Sequence, residues 1–205
     1  MTLRVRELSV ARGGWTVLEG LSFDVEPGTA LILRGPNGIG KTTLLRTLAG
    51  LQPPVSGEIE GAGDDVAYAS HSDGIKDALS VEESLAFWAR VYDQPVPDDI
   101  YDVFDLADLR HRMAGTLSSG QKRRLGLARL GVVGRKILLL DEPTISLDRQ
   151  SVNLFADFLR ERHLGQGGSA VIATHIELGL DAPVLELAPF AAQAGAAGGS
   201  DEAFL

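Results

Sequence analysis

The stretch Gly35-Pro36-Asn37-Gly38-Ile39-Gly40-Lys41-Thr42 constrains this chain more than any other. Two glycines are separated by four residues, and Lys and Thr follow the second, which is the spacing of a phosphate-binding loop. The apolar run Ala30-Leu31-Ile32-Leu33 before it reads as a buried strand, and Thr43-Leu44-Leu45-Arg46-Thr47-Leu48-Ala49 after it reads as a helix. Glycines let the backbone curl until successive amides point inward at phosphate oxygens. The helix N-terminus adds positive potential. In such a loop Lys41 reaches the β- and γ-phosphates of a nucleotide and the Thr42 hydroxyl can ligate Mg²⁺. An ordinary glycine turn accounts for the glycines, but not for strand, motif and helix together.

The chain has 205 residues, 44% of them hydrophobic, enough for one domain or a core with one insert. Its net charge of −9 argues against general attraction to nucleic acid or anionic lipid. Without cysteine there is neither disulfide nor thiol catalysis, which fits a cytoplasmic setting. No apolar run approaches the roughly 20 residues of a membrane helix. Met1–Glu7 lacks the apolar core of a signal peptide, so membrane association is expected through a partner and not by direct insertion.

Residues 3–10 and 21–25 alternate apolar and polar and predict strands of a small antiparallel sheet, joined through a turn at Arg12-Gly13-Gly14-Trp15. Short strands are expected at 57–60 and 66–69. Ser80-Val81-Glu82-Glu83 is a capping box for a helix with Leu85, Trp88, Val91 and Tyr92 on one face. Pro95-Val96-Pro97 breaks it, and Asp98 starts a second helix with Ile100, Val103 and Phe104 inward. Residues 72–116 thus read as a helical insert in an α/β chain. A helix follows Leu117-Ser118-Ser119-Gly120-Gln121 to about residue 133, and another is expected over 149–162. Ile137–Leu140, Ala170–Thr174 and Val184–Leu187 read as further strands, and the Ala/Gly-rich tail over 191–205 as mobile.

Asp141 and Glu142 follow the strand Ile137–Leu140, at the end where ligands of open α/β sheets sit. Asp141 can hold Mg²⁺ directly or through water, and Glu142 can polarise a water for attack on a γ-phosphate. A carboxylate pair at a strand end is often only a solvated edge; beside a phosphate loop it points to nucleotide hydrolysis. Leu117–Gln121 exposes helix N-terminal amides, and the Ser118 hydroxyl can donate to an anion.

The order of Gly35–Thr42, Leu117–Gln121, Ile137–Glu142, Pro143-Thr144, Ser146-Leu147-Asp148 and His175 resembles an ABC-type ATPase domain over about residues 3–187. The resemblance implies a P-loop NTPase (RecA-like) α/β core with a small N-terminal antiparallel β subdomain and a helical insert. It implies one ATP-binding domain over 1–205, with the core at about 1–71 and 117–190 and the helical subdomain at about 72–116. It also implies ATP and Mg²⁺ as ligands. Gly35, Pro36, Asn37, Gly38, Ile39, Gly40, Lys41, Thr42 and Thr43 would bind nucleotide, Thr42 and Asp141 would hold Mg²⁺, and Lys41, Glu142 and His175 would serve catalysis. Two copies would form a head-to-tail homodimer, with Leu117, Ser118, Ser119, Gly120 and Gln121 facing the ATP of the opposite subunit. The family's usual pentapeptide is Leu-Ser-Gly-Gly-Gln, from which Ser119 departs. Asp148 is similar to the residue linking the two sites, and His175 to the histidine that contacts the γ-phosphate. An aromatic stacks adenine in the family; here the position falls on Arg12, with Trp15 three residues later. Where Gln is usual, this chain has His71, a poor Mg²⁺ ligand, which is expected to act through water or mainly as a coupling residue.

The segment Tyr68–Leu85, with His71, Gly74-Ile75-Lys76 and Leu79-Ser80, is similar to the ATP-binding subunits of cytochrome c maturation (haem-export) systems. That resemblance implies an integral membrane partner of the CcmB kind, a place at the cytoplasmic face of the inner membrane, and ATP hydrolysis coupled to release of haem-loaded chaperone. The alternative is an ABC exporter subunit for another substrate. Soluble ABC proteins acting on ribosomes or DNA usually carry two ATPase domains or a long coiled-coil insert, neither of which is read in this sequence, and Glu142 disfavours a binding module without hydrolysis.

Overall fold

The computed structural model describes residues 1–70 and 74–192. Its centre is a parallel sheet with spatial order β5-β6-β7-β3-β8, built from β3 (Ala30–Arg34), β5 (Val66–Ala69), β6 (Ile137–Asp141), β7 (Ser169–Ala173) and β8 (Val184–Glu186). The three inner strands β6, β7 and β3 are apolar at nearly every position, as strands covered on both faces must be. Side chains alternate between the faces with a period of two. Ala30 and Ile32, Leu138 and Leu140, and Ala170 and Ile172 enter one core cluster; Leu31 and Leu33, Ile137 and Leu139, and Val171 and Ala173 enter the other. Truncating Leu138 or Leu139 to Ala, both fully buried, would cost about 2–5 kcal/mol.

The second face is covered by α1 (Lys41–Leu48) and by an antiparallel sheet of order β2-β1-β4, formed by β1 (Leu3–Arg12), β2 (Trp15–Val25) and β4 (Ser56–Glu60). Here the sequence reading falls short: both long strands extend to a tight turn at Gly13-Gly14, where Arg12 pairs with Trp15. The period-two pattern hides this length because the register shifts three times, and Glu7 (φ 46°) and Gly20 (φ 69°) leave extended geometry.

The first face carries α2 (Val81–Val91), α3 (Ile100–Val103), α4 (Ser119–Ala128) and α5 (Arg149–Asp157). The expected capping box starts α2: the Glu83 amide donates to Ser80 Oγ at 3.1 Å, and the Ser80 amide to Glu83 Oε2 at 2.8 Å. Leu85, Trp88 and Tyr92 pack inward, whereas Val91 is 56% exposed, against expectation. The helix expected from Asp98 is only the single turn α3, followed by short 3₁₀ turns at 107–109 and 114–116. The helix expected over 149–162 is α5 continued by a wider π-helical turn, Phe158–His163. At the C-terminal end Ala191 bridges to Leu18 and the Ala192 amide donates to Val17 O at 3.1 Å, and the rest of the expected tail, 193–205, lies outside the described residues.

Candidate nucleotide-binding and catalytic site

Because β6, β7 and β3 are adjacent and parallel, their carboxyl ends lie at one sheet edge. The loop after β3 carries Gly35–Gly40 and opens α1, the turn after β6 carries Glu142, and the segment after β7 carries His175. Residues more than a hundred positions apart thus meet. Gly35 (φ 153°), Gly38 (φ 83°) and Gly40 (φ 121°) take conformations that favour glycine, and a Cβ at Gly40 would stand 3.1 Å from Leu18 and Val17 side-chain carbons. Gly40 is the N-cap of α1 and supplies no side-chain cap, and the first turn holds no acidic residue. The amides at this helix start therefore suit an anion.

Lys41 is buried, and its ammonium donates to the carbonyl oxygens of Gly35 at 2.7 Å and Pro36 at 3.4 Å and lies 3.2 Å from His175 Nε2. His175 Nε2 is in turn 3.5 Å from Glu142 Oε1. Arg34 Nη1 donates to the His175 carbonyl at 3.1 Å, anchoring that segment to the end of β3. Arg12, Asn37, Gly38, Gly40, Lys41, Thr42, Thr43, Asp141 and Glu142 line one cavity of about 270 Å³. Of the two residues considered for adenine stacking, Arg12 thus borders the cavity, while Trp15 is 69% exposed beyond it.

Asp141 ends β6 and is almost fully buried. Its Oδ2 accepts a hydrogen bond from the Tyr68 hydroxyl of β5 at 3.3 Å. Burial first, then the Asp141 charge and this hydrogen bond, push the Tyr68 hydroxyl up to about 12, against a small opposing effect of Arg46. Asp141 carboxylate and Thr42 hydroxyl share the cavity, and two hard oxygen donors fit Mg²⁺. The Glu142 amide continues the β6–β7 ladder by donating to Ala173 O at 2.9 Å, and the chain then turns abruptly, with Glu142 at φ 49°. This left-handed conformation costs an ordinary residue on the order of 1 kcal/mol, so neighbouring contacts must hold it.

Ser118 caps α4 in a second capping box: the Gln121 amide donates to Ser118 Oγ at 3.3 Å, and the Ser118 amide to Gln121 Oε1 at 2.9 Å. Ser119 and Gly120 form the first turn and Leu117 is buried before it. None of Leu117–Gln121 lines the cavity around Lys41. Asp148 caps α5 through the Ser151 amide at 2.8 Å. Hydrogen bonds from the Ser151 backbone and side chain, the largest influences, together with Arg124 hold its carboxyl below the usual range. His71 lies outside the described residues. One residue that the sequence reading passed over is Arg123 of α4, 3% exposed, whose guanidinium donates to backbone carbonyls at the Glu142 turn. A charged residue on a helix reads as solvated, and no sequence pattern reveals main-chain partners.

The fold and site define an ATP-binding domain of the ABC transporter class. The model of the ABC transporter family matches residues 18–145, and the chain belongs to that family and is an ATPase of its type. Within it, the chain resembles cytochrome c biogenesis ATP-binding export proteins, CcmA. It is 65% identical over 193 residues to the one from Ruegeria pomeroyi, covering 94% of both chains. It is 60% identical to that of Roseobacter denitrificans over 100% of both chains, and 63% identical to that of Paracoccus denitrificans over 93% of this chain and 90% of the relative. Among solved structures, a Pyrococcus furiosus protein assigned as an ABC transporter ATP-binding protein superposes with a TM-score of 0.83 at 29% identity, over 94% of this chain and 100% of the other. The cbiO1 protein of Clostridium perfringens, part of the cbiONQ ABC transporter complex, gives 0.71 at 26% identity over 85% and 78%.

Proposed function

We propose that this chain is the ATP-hydrolysing subunit of a membrane export complex that serves cytochrome c biogenesis by haem export or release of haem-loaded chaperone. The observation that carries the ATPase half is the convergence of Lys41, His175 and Glu142 at the ends of three neighbouring strands. The full-length likeness to CcmA proteins supports the biological half.

In this reading the amides of Gly35–Thr43 and the Lys41 ammonium hold the β- and γ-phosphates, and Arg12 or Trp15 packs on adenine. Thr42 and Asp141 hold Mg²⁺, which when bound supplies positive charge against the phosphate oxygens. The Glu142 carboxylate accepts hydrogen bonding from a water and takes its proton as the water oxygen bonds to the γ-phosphorus. The bond from that phosphorus to the bridging oxygen breaks, and ADP leaves with the electron pair. His175 steadies the γ-phosphate side of the site. A second copy supplies Leu117–Gln121 to complete each site, which suits their place outside the cavity around Lys41. Asp148 links the two sites, and His71 with its neighbours passes the state of the site to the helical segment at about 72–116, the part we take as a subdomain distinct from the core.

Among the described residues no helix is long and apolar enough to cross a membrane. Attachment to the cytoplasmic face of the inner membrane would then run through an integral CcmB-like partner. Complementation tests this reading. In a bacterium deleted for its own cytochrome c biogenesis ATP-binding export protein, this chain should restore covalent haem staining of c-type cytochromes, and Lys41→Ala should not. Failure of the wild-type chain to restore staining, with ATPase activity intact, would assign it to an exporter for another substrate.

A further inference from the structure

Arg123 sits on α4, two residues past Gln121, and its guanidinium is buried in the protein. Nε donates to Pro143 O at 2.9 Å, Nη2 to Glu142 O at 3.1 Å, and Nη1 to Ser70 O at 3.1 Å. Burying a guanidinium is costly unless its N–H groups are satisfied, and here three of them are spent on main-chain carbonyls of two different segments. One is the turn that carries Glu142, whose φ of 49° is left-handed. The other is the end of β5, immediately before His71.

The planar fork matters chemically. Arg donates in fixed directions from several nitrogens, so it can hold consecutive carbonyls in one orientation; the point charge of Lys cannot. Two successive carbonyls of a left-handed turn, Glu142 and Pro143, are pinned by one side chain. The direction in which the Glu142 side chain leaves the backbone is set by that turn. It is also set relative to α4, the helix that opens with the exposed Ser118 and Ser119.

We propose that Arg123 is a positioning residue for hydrolysis: it fixes the Glu142 turn so that the carboxylate meets the attacking water, and ties that turn to α4 and to Ser70. The inference rests on the reading of Glu142 as the water-polarising base. Its consequence is selective. Nucleotide affinity comes from the Gly35–Thr43 loop, which Arg123 does not touch, so loss of the fork should reduce kcat and spare binding.

The test places Arg123→Lys and Arg123→Gln in the otherwise wild-type chain and in Glu142→Gln. ATP affinity is measured by calorimetry, and kcat and KM by phosphate release. Small misplacements of a reacting group cost rates of roughly tenfold to a hundredfold, and that loss is expected in kcat for both variants, with Arg123→Lys the milder. KM and ATP affinity should stay within about twofold. In Glu142→Gln the same substitutions should change the residual rate by less than about threefold, because residues acting as a unit are not additive. Equal losses in both backgrounds, parallel losses of kcat and affinity, or wild-type kcat in Arg123→Gln would each overturn the proposal. Wild-type turnover in Glu142→Gln alone would remove the underlying reading of Glu142 and the proposal with it. That outcome is distinct from a slow Glu142→Gln whose rate falls further on substituting Arg123.

Discussion

The Lys41 ammonium nitrogen lies 3.2 Å from Nε2 of His175, 134 residues away in sequence. An ammonium can only donate, so a hydrogen bond between these two groups has Nε2 as its acceptor. The same nitrogen is 3.5 Å from Glu142 Oε1, which places His175 between the phosphate-loop cation and the carboxylate. His175→Ala should therefore lower turnover by about 10²–10³-fold, the effect of losing one well-placed polar group. Lys41→Ala should instead abolish measurable ATP affinity. Calorimetry and phosphate release on both variants check the contrast. Unaltered turnover in His175→Ala would place the γ-phosphate contact elsewhere.

Tyr68 and Asp141 give a second prediction. With its hydroxyl ionising only near pH 12, Tyr68 remains a hydrogen-bond donor to Asp141 across the working range. Groups that orient a metal-binding carboxylate typically affect metal affinity by about 10–100-fold. The 3.3 Å bond is long, so Tyr68→Phe is expected at the low end. A titration of hydrolysis against Mg²⁺ should show the half-maximal concentration rising by about tenfold. An unchanged titration would mean that Asp141 needs no help from β5.

How much of this could be read from residues alone differs by feature. The phosphate loop and the Asp141-Glu142 pair were legible because each is a local pattern tied to a strand end. The capping box at Ser80 follows the same logic, whereas the one between Ser118 and Gln121 came from the structure alone. The length of β1 and β2 was not, because Glu7 and Gly20 interrupt the alternation. Nor was the split between Arg12 and Trp15, which depends on how the hairpin turns over the loop. Arg123 was invisible for a different reason: its bonds run to carbonyls 19, 20 and 53 residues away, and a carbonyl is present whatever the side chain.

A pH dependence follows from His163, buried at the end of the π-helical turn. Its Nε2–H donates to Ser169 O at 2.9 Å. Burial, the largest influence, lowers its pKa, against the raising effect of the Ser169 and Lys136 carbonyls. Below about pH 6.5 the unfolded chain binds a proton at this position more readily than the folded one. Stability from this group is thus complete above that pH and declines as pH falls towards the lower folded value. Thermal melts at pH 7.5 and 5.5 should show a drop that shrinks in His163→Gln. An equal drop in both proteins would assign the loss to other groups.

In the proposed mechanism Glu142 drives hydrolysis in an ATP-bridged pair of chains. Neutralising Glu142 to Gln removes the base and leaves Gly35–Thr43, Lys41 and Ser118–Gln121 unaltered, so ATP should be bound and not consumed. Light scattering of Glu142→Gln with ATP and Mg²⁺ gives the most direct measurement. The mass expected is near twice the 21.8 kDa of the chain, returning to that of the single chain when ADP replaces ATP. A single-chain mass with ATP bound, or hydrolysis at the wild-type rate, would contradict it.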